Sequence, residues 1–191
     1  KIHDYLTLNA KMTLRPLDVL HLANGSVLNG TFSSSNYIVT NYNATGDQSL
    51  LRYDGLAAAT LLPIGTVNYY MPVAITPSSS SDITAAVFEG ITANGAITGT
   101  ALTATQKQTV VNAVWNINRL SGSGDATIQL NWDGALEGST FTTLPNTEIG
   151  LIKNNGSSWA LPIGTGDNTA NNVTATVSSF GSFSAGAVPQ V

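Results

Sequence analysis

Residues 110–132 read VVNAVWNINRLSGSGDATIQLNW, and this stretch governs how the rest of the chain is read. Val111, Ala113, Trp115 and Ile117 alternate with Asn112, Val114, Asn116 and Asn118. Ala126, Ile128, Leu130 and Trp132 alternate with Thr127, Gln129, Asn131 and Asp133. A period of two puts successive side chains on opposite faces of a strand. Between the runs, residues 121–125 (SGSGD) carry turn chemistry, with glycines free to adopt positive φ. The pattern predicts an antiparallel hairpin with one apolar face on a core and one wet face of amides and hydroxyls. Trp115 and Trp132 share the apolar face in this reading and set the thickness of the core.

Composition agrees with β structure. Only 9% of the 191 residues are charged, against about 25% in ordinary soluble domains. Thr, Ser, Asn and Gly make up about two-fifths of the chain, and such residues suit strands and turns. The formal net charge is −4, and the seven Lys and Arg residues are scattered. Nucleic-acid binding needs clustered basic residues and is excluded on this ground. The absence of cysteine removes disulfides, thiolate metal sites and a cysteine nucleophile. No apolar run approaches the ~20 residues of a membrane span, and no signal peptide is read, as expected of a mature extracellular segment.

Working outward, residues 5–8, 12–14, 19–22, 27–32 and 37–40 are short strand-like pieces punctuated by Asn and Asn-Gly. Their even spacing predicts stacked coils of a β-helix or solenoid over residues 1–45, resting on a neighbour because so few coils cannot bury a core unaided. Residues 46–191 are expected to form an antiparallel β-sandwich. Strands are predicted over 49–53, 61–66, 69–76, 83–88, 148–153 and 173–177, with turn signals between them. Residues 104–108 suit one helical turn, and 186–191 read as a linker. LPIGT occurs at 62–66 and again at 161–165, which reads as two similar strand exits rather than a repeat.

An ordered series of short stretches carries a resemblance. It comprises 36–40 (NYIVT), 61–66 (LLPIGT), 70–76 (YMPVAIT), 114–117 (VWNI), 130–137 (LNWDGALE), 150–161 (GLIKNNGSSWAL) and 174–186 (TATVSSFGSFSAG). The chain resembles modules of large secreted surface proteins of Bacteroidetes-type bacteria, many exported by the type IX system. The resemblance implies an Ig-like sandwich preceded by a short β-helical segment, at the cell surface, with an adhesive or structural role. It implies no catalytic residues.

The candidate chemistry is sparse. His3 and His21 are the only histidines, with Asp4 and Asp18 the nearest carboxylates in sequence. Asp133, Glu137 and Asp167, together with Asp125, are candidate Ca²⁺ ligands, since Ca²⁺ favours oxygen donors from loops. Asp133 and Glu137 are also the one pair that glycoside cleavage could use. No nucleophile elbow, P-loop, dinucleotide fingerprint or H-E-x-x-H occurs. Tyr69, Tyr70 and Trp159 are candidate platforms for a sugar, with asparagine amides nearby. The expected function is a non-enzymatic structural or adhesive module, with a self-assembling filament subunit as a variant, whose partners are other copies, neighbouring modules or glycans. A carbohydrate-binding accessory module of a secreted enzyme is the alternative.

Overall fold

The computed structural model describes residues 1–187. The chain begins with two stacked turns. β1 (Tyr5–Thr7), β2 (Met12–Thr13) and β3 (Val19–Leu22) make the first turn. β4 (Val27–Asn29), β5 (Ile38–Val39) and β6 (Leu50–Leu56) make the second. After β7 (Thr60–Leu62), β8 (Ile64–Gly65) adds part of a third. Every pairing between turns is parallel: Tyr5 opposite Val27, Met12 opposite Ile38, Val19 opposite Leu50, and Ile38 opposite Ile64. Buried Asn36 ties the first two turns, its Nδ2 donating to Leu8 O at 2.8 Å and Thr31 O at 3.0 Å.

The remaining strands are β9 (Val73–Pro77), β10 (Ser81–Glu89), β11 (Ala113–Ser121), β12 (Ala126–Asn131), β13 (Ile149–Lys153), β14 (Thr165–Asp167), β15 (Asn172–Val177) and β16 (Gly181–Ala187). One helical turn, α1 (Ala104–Lys107), closes a loop before β11 and is capped by Thr103 and Gln106. A six-stranded sheet runs β13-β16-β11-β10-β6-β3, and a five-stranded sheet runs β14-β15-β12-β9-β7. Trp115 and Ile117 of the first sheet and Ile75, Ile128 and Leu130 of the second belong to one buried cluster. The chain is thus all-β, and its two larger sheets enclose a common core in the manner of a β-sandwich. Leu8, Leu14, Leu22 and Ile38 from the coiled turns join the same cluster. Parallel pairing therefore continues past residue 45 to Gly65, and β6 serves both the coil and the six-stranded sheet. Buried Thr40 adds a fastening: it accepts from Val87 N at 3.0 Å and donates to Val87 O at 3.1 Å. Among the described residues no helix is long and apolar enough to cross a membrane.

The structure corrects the expected hairpin. β11 pairs with β10 and β16, whereas β12 pairs with β9 and β15. The turn at 122–125 carries the chain from one sheet to the other, as does the turn between β9 and β10. The two crossings lie against each other, with Ser78 N donating to Asp125 O at 2.8 Å. Trp115 and Trp132 therefore face one core from opposite sides. Alternation is identical for two strands side by side and for two strands facing each other, because it specifies the buried face and not the lateral neighbour.

The second face of β11 is not uniformly wet either. Val114 is fully buried in a smaller cluster with Phe88, Ile91, Val110 and Ile152, roofed by Ile97, Leu102 and Trp159. The expected linker at 186–191 is also corrected. Gly186 and Ala187 end β16, paired with Gly150 and Ile149 of β13; 188–191 lie outside the described residues.

Candidate functional site

The carboxylates expected to gather as a Ca²⁺ or hydrolytic site each serve a neighbouring element. Asp133 Oδ1 accepts from Ala135 N at 3.0 Å and caps the short turn Gly134–Leu136. Glu137 Oε1 accepts from the Trp132 indole N–H at 2.8 Å. Asp167 Oδ1 accepts from Thr169 N at 2.9 Å and Ala170 N at 3.0 Å. Among the described residues no group of three His, Asp or Glu side chains is placed to hold a metal ion.

His21 meets neither Asp4 nor Asp18. Its Nε2 lies 2.6 Å from Asp54 Oδ2. The same carboxylate accepts from Arg52 Nε at 2.7 Å and pairs with Lys1 Nζ at 3.0 Å. Burial works to raise the pKa of Asp54. Hydrogen bonds with His21, Arg52 and Lys1 outweigh it and hold the carboxyl well below the usual carboxylate range. A carboxylate so encircled is a fastening between β3 and β6. Asp18 instead pairs with Arg15 at 3.2 Å. The Arg52-x-Asp54 spacing, two residues apart on one strand face, was the signal in the sequence for this cluster.

The three aromatic candidates separate. Tyr69 is half-buried against the main core. Tyr70 packs on the buried Tyr37 ring, centroids 5.3 Å apart, and burial raises its hydroxyl pKa. Neither tyrosine lines the cleft that Trp159 walls. That cleft, of about 370 Å³, opens on the outer face of the six-stranded sheet. Its apolar lining is Trp159, Ala93, Leu102, Val110 and Ile152, the last four drawn from the loop before β11 and from β13. Gln106, Thr109, Ser157 and Ser158 supply the polar rim. Trp159 Nε1 donates to Thr92 O at 2.9 Å, which fixes the plane of the ring.

A second feature is the end of the coil. Leu22, Ile38 and Leu51 point inward and have no exposure. Leu6, Met12 and Leu20 also point inward and are partly buried against the main core. Among the described residues β1 and β2 each have a single paired neighbour. Ile2 shows how a strand seats there: it bridges Leu22 in parallel, its N–H donating to His21 O at 2.7 Å and its carbonyl accepting from Ala23 N at 2.8 Å. Tyr5 (63% exposed) and Val19 (50% exposed) flank this end.

No family model, no curated protein and no solved structure matches the chain.

Proposed function

We propose that the chain is a non-enzymatic structural or adhesive module of an extracellular bacterial surface protein, and that it docks through the outward edge of β1. The resemblance to Bacteroidetes-type surface modules, with an Ig-like sandwich behind a short β-helix, supports the setting. The outward edge of β1 carries the reading, with Leu6, Met12 and Leu20 packed beneath it and partly buried. Val27 N donates to Asp4 O and Leu8 N to Asn29 O, so by alternation Tyr5 and Thr7 aim their backbone groups away from the stack. Such an edge is a template for another strand. The occupant is the same edge of a second copy, as a two-fold contact requires.

Light scattering over a concentration series tests this. Mass that grows with concentration is expected, as is its loss in Thr7→Pro. That variant removes an outward N–H and leaves the bonds within the stack in place. A chain that stays monomeric throughout, or a Thr7→Pro variant that associates as before, overturns the docking role.

A further inference from the structure

We propose that the Trp159 cleft is a subsite for one neutral pyranose unit of a glycan, its ring packed on the indole and its hydroxyls met by Gln106 and the 157–158 turn. This goes beyond the docking reading and is independent of it. Ile152 of β13 lies at the opposite edge of the six-stranded sheet from β3, where the coil joins. A docking module needs no small-molecule cleft.

Four observations carry the inference. The volume of about 370 Å³ falls at the small end of ligand pockets, roughly 300–1,000 Å³. No charged side chain lines the cleft among the described residues. Phosphates, nucleotides and carboxylates would therefore leave their charge unpaired against Leu102, Val110 and Ile152. A sugar has the matching character, with an apolar C–H face for an aromatic wall and hydroxyls for a rim of amide and hydroxyl groups.

The third observation concerns Gln106. Its Oε1 accepts from both the backbone N–H and the hydroxyl of Thr103, each at 3.0 Å. The carboxamide is thereby held in one orientation, and its Nε2 has no protein partner among the described residues. It is a fixed donor waiting at the rim. The fourth is the serine turn. Ser157 and Ser158 donate their backbone N–H groups to Asn155 Oδ1 at 3.0 and 2.9 Å, and the Ser157 hydroxyl donates to the same oxygen at 3.0 Å. The Ser157 oxygen keeps lone pairs free to accept. With Trp159 anchored on Thr92, wall and rim are set before any ligand arrives, which lowers the entropy cost of binding.

The experiment titrates the purified chain with neutral gluco-, manno-, galacto-, xylo- and chito-oligosaccharides and follows tryptophan fluorescence. Trp115 and Trp132 are buried, so Trp159 is the indole placed to respond. A saturable change with at least one series is expected. Trp159→Ala should abolish it, and Gln106→Glu should weaken binding about tenfold. Glutamate keeps the capping contact to Thr103 and replaces the donor with an oxygen, so the fold is retained even if Trp159→Ala fails to fold. No saturation with any series up to about 10 mM, or equal binding by Gln106→Glu, overturns the proposal. The self-association of Gln106→Glu should match that of the parent chain, which separates failure here from failure of the docking reading.

Discussion

Trp115→Ala removes the largest fully buried side chain, and its cost can be worked from what surrounds the ring. Trp115 sits in β11 between Val87 of β10 and Phe183 of β16, and it faces the residues of the five-stranded sheet across the core. Emptying such a site costs about 3–5 kcal/mol, from lost transfer energy and from the cavity left behind. The indole N–H also donates to Met71 O at 3.0 Å, inside the core. Stranding that carbonyl adds about 1–3 kcal/mol unless water follows it in. The expected total, about 4–8 kcal/mol, is comparable with the whole stability of ordinary domains, roughly 5–15 kcal/mol. Trp115→Phe isolates the second part, since it keeps most of the apolar contact and deletes the donor; about 1–3 kcal/mol is expected. Urea unfolding followed by circular dichroism measures both, with unchanged slope as the condition for comparing midpoints. A loss below about 1 kcal/mol for Trp115→Ala would refute the placement of this ring between two facing sheets. So would a Trp115→Phe variant as stable as the parent.

Asp54→Asn should destabilise the chain by about 1.5–3 kcal/mol, as expected for charge-assisted hydrogen bonds, with the water-facing Lys1 contributing least. Because the folded carboxyl titrates below its ordinary value of 3.8, Asp54 stabilises the fold fully above that value and loses the contribution only as pH falls towards the folded value. Stability of parent and Asp54→Asn, measured against pH, should differ above pH 3.8 and converge in strong acid; a difference that persists undiminished in strong acid contradicts the cluster. Gly65→Ala should cost about 1–3 kcal/mol or more by overpacking, since its Cβ would lie 2.3 Å from Tyr69 O and 2.5 Å from the Tyr37 ring. Thermal melting reads this directly, with Gly90→Ala as the control: there nothing lies within 4 Å and only the positive φ of 92° opposes the change.

The cleft and the coil end differ in how they arise from the sequence. The first turns draw on short strands with Asn between them, a spacing legible over residues 1–45. The cleft joins Gln106, third in a four-residue helix, to Ser157 and Trp159 after β13, residues some fifty apart. Trp159 was visible in the sequence as an aromatic beside polar turn residues. Gln106 was visible only as part of a helical turn, because its partner in the cleft is supplied by packing of the 93–110 loop on the six-stranded sheet. The Asp54 cluster is hidden from the sequence for a related reason: His21 lies thirty-three residues away, and only the parallel stacking of β3 on β6 brings them together.

By itself the sequence determined the strands and their buried faces. Period-two alternation and Asn-Gly punctuation act within a few residues, so β1 to β5, β12, β13 and β15 appear close to where the pattern put them. It determined too that the first 45 residues repeat a short-strand spacing, since stacking needs only matched lengths. The tertiary structure decided which strands are neighbours. An apolar face is equally satisfied by a strand beside it or a strand opposite it, and the energy of burial carries no direction. Steric closure of the turns and completion of backbone hydrogen bonds, which depend on residues far along the chain, sent β11 and β12 into different sheets. They also placed Val114 under a second cluster and drew Trp159 into a cleft rather than beside Tyr69 and Tyr70.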